Sequence, residues 1–181
     1  MDEFRPIQPN PYIVGNPIRD RGMFFGRQEE LRFLHDRLDT SGREMIVLCG
    51  GRRSGKTSIL LQVLEGRLGE RFLPVLVDMQ QLAELRCDGD LWAAVARRIV
   101  ERMAAKAIDT GGLAPPAGDC AEPHARFRLF LEEVARRLGT RKPVILVDEY
   151  ELIEEHIHHG TLSSDVTLVM AALLDSALPV S

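Results

Sequence analysis

Residues Gly50 to Thr57 read Gly-Gly-Arg-Arg-Ser-Gly-Lys-Thr, a full match to the Walker A pattern. Glycines at both ends of such a loop let successive backbone N–H groups turn inward around an anion, and the helix that follows adds the positive end of its dipole. Lys56 is then placed to reach β- and γ-phosphates, and the Thr57 hydroxyl to ligate Mg²⁺. Ninety residues on, Val144-Ile145-Leu146-Val147 ends in Asp148-Glu149. An acid at the carboxyl end of a strand can meet a cation held near Thr57, so Asp148 reads as the Walker B metal residue. Glu149 is the candidate to polarise a water that attacks the terminal phosphate. Taken without the loop, the same residues would read equally well as a strand followed by an exposed acidic turn. Together the two motifs imply binding of a nucleoside triphosphate. Asp78, after Val75-Leu76-Val77, is a competing acid, but its next neighbours are Met79 and two glutamines, so it is expected to be structural.

These side chains need elements to hold them. Met45 to Cys49 is apolar and rich in strand formers, and Ser58 to Leu64 has helical character, which is the strand–loop–helix setting the loop requires. Further strands are expected over Phe72–Asp78 and Val144–Val147. Helices are expected over about Gln28–Leu38, from Leu91 to about Ala107 with Asp90 as N-cap, over Ala125–Leu138, and over about Asp165–Leu178. Thr110 to Pro123 is rich in glycine and proline and reads as a flexible insertion. Pro6, Pro9, Pro11 and Pro17 make residues 1–22 an extended arm, leaving 23–181 as the core. Alternating strands and helices, with strands apolar on both faces, imply a three-layer α/β/α sandwich on a mainly parallel sheet.

Composition sets bounds on partners. The 181 residues carry 45% hydrophobic and 28% charged side chains and a net charge of −4. That balance suits a folded domain and gives no general electrostatic footprint for nucleic acid. No apolar run approaches the ~20 residues needed to span a bilayer, and the start, Met-Asp-Glu-Phe-Arg-Pro, lacks the pattern of a signal peptide. Cys49, Cys87 and Cys120 are an odd number without metal-site spacing; they read as free thiols, and the chain as cytoplasmic. Glu154-Glu155-His156-Ile157-His158-His159 has no partner motif for a tetrahedral site and reads as a solvated loop or frayed helix rather than a zinc cluster. Arg97, Arg98, Arg102 and Lys106 read as the solvated face of a helix.

Asn10-Pro11-Tyr12-Ile13-Val14-Gly15-Asn16-Pro17, followed by Phe24-Phe25-Gly26-Arg27-Gln28-Glu29-Glu30-Leu31, resembles the N-terminal signature of AAA+-related STAND ATPases. The loop Gly-x-Arg-Arg-x-Gly-Lys-Thr-Ser, ending at Ser58, is similar to a common variant there. The resemblance covers about Asn10 to Tyr150. It implies ATP with Mg²⁺ as ligand, held by Gly50, Gly51, Arg52, Arg53, Ser54, Gly55, Lys56, Thr57 and Ser58. Phe25 and Arg27 would lie beside the adenine and ribose; alternatively, Phe24 and Phe25 anchor the arm and Arg27 is a solvated charge. The side chains of Arg52 and Arg53 can also point to solvent while their backbone makes the contacts. The resemblance further implies slow hydrolysis as a regulatory switch, with protein partners or self-association through C-terminal regions absent here. A non-hydrolysing ATP-dependent interaction module and, further off, a small-molecule kinase using Asp78 are the competing readings. The chain departs from the family pattern at Leu178-Pro179-Val180-Ser181, where a sensor 1 strand would begin. The expectation is therefore a truncated or fragmentary core, lacking that strand and the helical lid, with a gap in the middle of the sheet.

Overall fold

The computed structural model describes residues 17–19, 22, 24–40, 45–51, 53–82 and 84–170. The elements run α1 (Gln28–Thr40), α2 (Lys56–Leu64), β1 (Phe72–Asp78), α3 (Asp88–Ala105), α4 (Pro123–Leu138), β2 (Lys142–Asp148) and α5 (Glu151–His158), with a 3-10 turn over Met79–Leu82. Residues 166–170 are helical, and the rest of the expected last helix lies outside the described residues, as do residues 1–16 of the arm.

β1 and β2 pair in parallel over their whole length, from Phe72 opposite Lys142 to Asp78 opposite Asp148. Their side chains alternate between two apolar clusters, because successive residues of a strand point to opposite faces. Leu73, Val75 and Val77, with Ile145 and Val147, face α3, α4 and α5. Phe72 and Leu76, with Val144 and Leu146, face α1 and α2. Helices thus cover both faces of the sheet, which is why the strands carry almost no polar residues. Phe127, Phe130, Leu131, Val134 and Leu138 of α4 are all buried, as the helical spacing requires.

The structure corrects several expectations. Met45 to Cys49 is extended but forms no ladder, and the sheet among the described residues has two strands. Its side chains still alternate: Ile46 and Leu48 pack on the α1–α2 layer, whereas Met45 and Val47 are exposed by 49% and 61%. Strandlike chemistry cannot make a ladder without an adjacent backbone to bond. An apolar cleft of about 240 Å³ is lined in part by Met45 to Leu48 and in part by Val144 to Val147 of β2.

Asp90 does not cap α3. The helix starts at Asp88 with Cys87 in the cap position, and Asp90 instead accepts from the Arg86 backbone and guanidinium, both at 2.9 Å. Nor are all three thiols free: Cys87 and Cys120 form a disulfide, and Cys49 alone is free and exposed. A separation of 33 residues conceals that the 106–122 connection folds back onto the start of α3, bringing the two Cα atoms to 6.0 Å. There Gly89 lies so close to Asp119 that an added Cβ would sit 1.9 Å from the Asp119 carbonyl oxygen. The glycine-rich connection is therefore fastened at its end. Arg102 is not simply solvated either. It donates to the Pro74 carbonyl at 2.9 Å and to the Leu64 carbonyl, tying the last turn of α2 to β1. The Glu154–His159 stretch belongs to α5 and its end, and among the described residues no group of three or more His, Cys, Asp or Glu could hold a metal. No helix among the described residues is long and apolar enough to cross a membrane.

Candidate nucleotide site

The loop at Gly50–Gly55 is shaped by two glycines with distinct duties. At Gly50 a Cβ would meet the Ser54 Oγ at 2.7 Å, so a larger residue there would force that hydroxyl to turn away. Gly55 has φ +89°, a left-handed conformation that glycine adopts without steric cost, and it turns the chain into α2. The Ser54 N–H donates to the Gly51 carbonyl at 3.2 Å and closes the turn. Gly55 provides no side-chain cap, and α2 has no acid in its first turn. α3 and α5 both do. The start of α2, like that of α4, thus carries no acid that would repel an external anion.

Lys56 is folded back onto this loop, its Nζ donating to the carbonyls of Gly50 at 2.8 Å and Gly51 at 3.1 Å. Thr57 Oγ1 donates to Asp148 Oδ1 at 3.3 Å, joining the loop to the end of β2 across 91 residues. Asp148 Oδ1 also accepts from the Glu149 N–H at 3.2 Å. Glu149 itself has φ +55°, a turn that sends the chain away from the sheet into α5. Its carboxyl is held above the usual carboxylate range, first by burial and then by the nearby charges of Glu151, Asp148 and Asp78. Asp78 is engaged locally, accepting from Gln80 N at 3.0 Å and Gln81 Nε2 at 2.9 Å.

Other candidates are more scattered. Arg27, at φ +58°, donates through Nη2 to the Ser54 carbonyl at 2.8 Å and through Nη1 to Glu30 at 2.7 Å. Phe25 is 81% exposed. Arg53 is exposed, at φ +63°, and Arg52 lies outside the described residues. Ser58 is buried and turned away from the loop, accepting the Ile18 N–H at 3.0 Å. That contact, and those of Gln62 one turn on, escaped the sequence reading. The available signal was a lone amide in the apolar run Ile59 to Leu64.

The AAA ATPase domain family matches residues 23–177, most of the chain and both halves of this site. The protein belongs to that family. Membership makes this AAA domain a P-loop α/β fold of the ATP-binding class. A 45-residue stretch is 47% identical to an uncharacterized protein of Methanocaldococcus jannaschii, covering 25% of this chain and 10% of that one. The chain thus spans about a tenth of that relative's length. No solved structure matches the AAA domain.

The residues fit a magnesium nucleotide. A hydroxyl and a carboxylate, both hard oxygen donors, converge at Thr57 and Asp148. Mg²⁺ binds through one or two such groups and fills its other positions with phosphate oxygens and water. The carboxylates of Glu151, Asp148 and Asp78 crowd Glu149 with negative charge, which a metal would offset.

Proposed function

We propose that this AAA domain binds Mg-ATP between Gly50–Thr57 and Asp148 and hydrolyses it slowly, as a STAND-type nucleotide-driven switch. The observation that carries the reading is the Thr57–Asp148 hydrogen bond, which puts the loop hydroxyl and the strand-end acid at one point. When bound, Mg²⁺ supplies charge neutralisation on the phosphate oxygens. Everything else falls to the chain. The N–H groups at the start of α2 orient the phosphates, and Lys56 exchanges its loop carbonyls for phosphate oxygens. Glu149, beside Asp148, orients the attacking water and takes its proton. Arg27 and Phe25 supply the base side of the pocket. Catalysis of this kind is positioning plus charge stabilisation, and a switch needs little of it. With a net charge of −4, protein partners or a second copy suit the switch better than nucleic acid. We place its work in the cytoplasm, where ATP is abundant and where the reducing conditions would act on the Cys87–Cys120 bond.

Calorimetry with Mg-ATP tests this directly. Lys56→Ala removes a charge-assisted contact worth about 1.5–3 kcal/mol, so affinity should fall roughly 10- to 150-fold. A folded wild-type chain that takes up no ATP, or a variant that binds as well, overturns the proposal. Glu149→Gln then separates a hydrolase, which loses turnover and keeps ATP, from a non-hydrolysing binding module, which shows no change.

A further inference from the structure

Arg27 joins the start of α1 to the phosphate loop. Its Nη2 donates to the Ser54 carbonyl at 2.8 Å and its Nη1 to Glu30 Oε1 at 2.7 Å. A guanidinium is planar and offers its donors as a fixed fork, so partners on two different nitrogens set its orientation. The Glu30 carboxyl is held below the usual carboxylate range, chiefly by this hydrogen bond from Arg27. The root of the arginine is set as well. The Leu31 N–H donates to the Arg27 carbonyl at 3.1 Å, and Leu31 and Leu34 are buried in the cluster that α1 shares with α2. Gly26 and Arg27 have φ +72° and +58°, a conformation without steric cost for glycine and unfavourable for arginine. Among the described residues five that carry a Cβ have positive φ, and three of them are Arg27, Arg53 of the loop and Glu149 beside its acid. Strain of this kind persists only where surrounding contacts hold it.

The carbonyl that Arg27 holds belongs to the peptide joining Ser54 to Gly55, the cap residue of α2. In a planar trans peptide the C=O and N–H point in opposite directions. Fixing the Ser54 oxygen towards Arg27 therefore turns the Gly55 N–H away from it. That N–H stands at a helix start with no side-chain cap, where backbone donors without helical partners bind anions. The far side of Gly55 is fixed too, its carbonyl accepting the Ile59 N–H at 3.0 Å.

We infer that Arg27 is a positioning residue for the phosphate loop: through the Ser54 carbonyl it aims the Gly55 N–H at the phosphates, and Glu30 holds the guanidinium in place to do so. The inference rests on the function proposed above and deepens it. A residue that acts through the loop backbone affects every ligand carrying the same phosphates, with or without a base.

The test is calorimetry on the intact chain with Mg-tripolyphosphate, which has the phosphates and no base, and with Mg-ATP. Arg27→Met should weaken tripolyphosphate about tenfold, the worth of one hydrogen bond to a charged group, and ATP by at least as much. A loss confined to ATP would make Arg27 a contact of the base alone and overturn the inference. Loss of a positive charge also weakens anion binding, so Glu30→Ala gives the sharper outcome. Removing a carboxylate beside the loop strengthens phosphate binding if charge governs, whereas freeing the guanidinium should weaken it by roughly two- to fivefold. Strengthened or unchanged binding overturns the inference. Added to Arg27→Met, Glu30→Ala should cause no further loss, because both act through the Ser54 carbonyl; a second loss of the same size counts against it. Both side chains are exposed, so Tm should stay within about 2 °C, and a larger drop with affinity unchanged would show a structural role only. If wild type binds both ligands and Arg27→Met binds them equally well, this inference alone fails. If wild type binds neither, the phosphate site fails and the inference with it.

Discussion

Opening the Cys87–Cys120 disulfide should lower stability by a predictable amount. The bond closes a loop with a sequence separation of 33 residues, which includes all of α3 and the connection after it as far as Cys120. Cross-linking removes chain entropy from the unfolded state in proportion to the logarithm of loop length, giving about 3.7 kcal/mol for a loop of this size. In a domain of 150–250 residues each kcal/mol moves Tm by about 2–4 °C, so reduction should lower it by roughly 7–15 °C. The measurement is scanning calorimetry of the oxidised chain, the dithiothreitol-treated chain and Cys87→Ser/Cys120→Ser. Cys49→Ser is carried throughout, because that exposed thiol would otherwise exchange with the bond. Gly89→Ala probes the same clasp from its other side. The new methyl would lie 1.9 Å from the Asp119 carbonyl oxygen and 2.7 Å from its carbon, both main-chain atoms that cannot swing aside. In the oxidised chain Cys120 is tethered beside that contact, so the substitution should cost about 1–3 kcal/mol or more. In the cysteine-free chain residues 118–120 can back away, and the cost should shrink. A reduced chain melting within about 2 °C of the oxidised one would refute the reasoning, as would a Gly89→Ala penalty that is the same in both backgrounds.

Three further outcomes follow from other contacts. Arg102→Met strips donors from the Pro74 and Leu64 carbonyls and should cost about 2–4 kcal/mol, read as a lower urea midpoint at unchanged m. Exposed Arg97→Met on the same helix should stay within about 0.5 kcal/mol, and equal effects would return Arg102 to the solvated face. The Asp90 carboxyl is held below its ordinary value near 3.8, chiefly by its hydrogen bond from Arg86. A depressed folded pKa adds stability that is present above the unfolded value and lost as pH falls through the folded one. The stability difference between wild type and Asp90→Asn should therefore hold constant down to about pH 5 and shrink below it. A difference that persists to about pH 2 in urea titrations would contradict this. Asp88 accepts from Ser163 N at 2.8 Å and Ser163 Oγ at 2.6 Å, so Asp88→Ala should speed amide exchange at Ser163 by at least tenfold, one lost hydrogen bond being worth about 1.4 kcal/mol; no change would place that amide's protection elsewhere.

How much of this was readable beforehand depends on the range of the interaction. α4 and the run Phe72–Asp78 are set by patterns of period 3.6 and by apolar residues on both faces, properties carried within the segment itself. The parallel direction of β1 and β2 also followed, since strands separated by helices in α/β chains run parallel, whereas their being neighbours did not. Met45 to Cys49 shows the limit. Its alternation survives in the packing of Ile46 and Leu48, but a ladder depends on a neighbour that no local pattern supplies. Side chains that bond distant main chain were equally hidden. Nothing in Gln62 names Ile18, nothing in Arg102 names Pro74, and Cys87 could have met either other cysteine or none. At the site, the loop and the Asp148–Glu149 pair could be read from spacing. The Thr57–Asp148 contact needed the sheet to bring it about.

These long-range contacts converge on one helix. α2 is held at its start by Thr57 on Asp148, along its middle by Ser58 and Gln62 on the main chain of Ile18 and Arg19, and at its end by Arg102 on the Leu64 carbonyl. A phosphate loop must keep several N–H groups aimed at one point, and the helix it feeds is the part whose tilt would spoil that aim. Of the three fastenings, only the first lies where ligand would bind. In the proposed complex Lys56 gives up two loop carbonyls and Thr57 gives up Asp148, so binding exchanges hydrogen bonds rather than adding them, and Lys56 gains by trading neutral carbonyls for charged phosphate oxygens. The fastenings at the middle and end of α2 remain closed throughout. They set the geometry in which that exchange occurs, which is why a substitution at Arg102, which the proposed complex does not bring to a phosphate, should register in the stability of the whole domain.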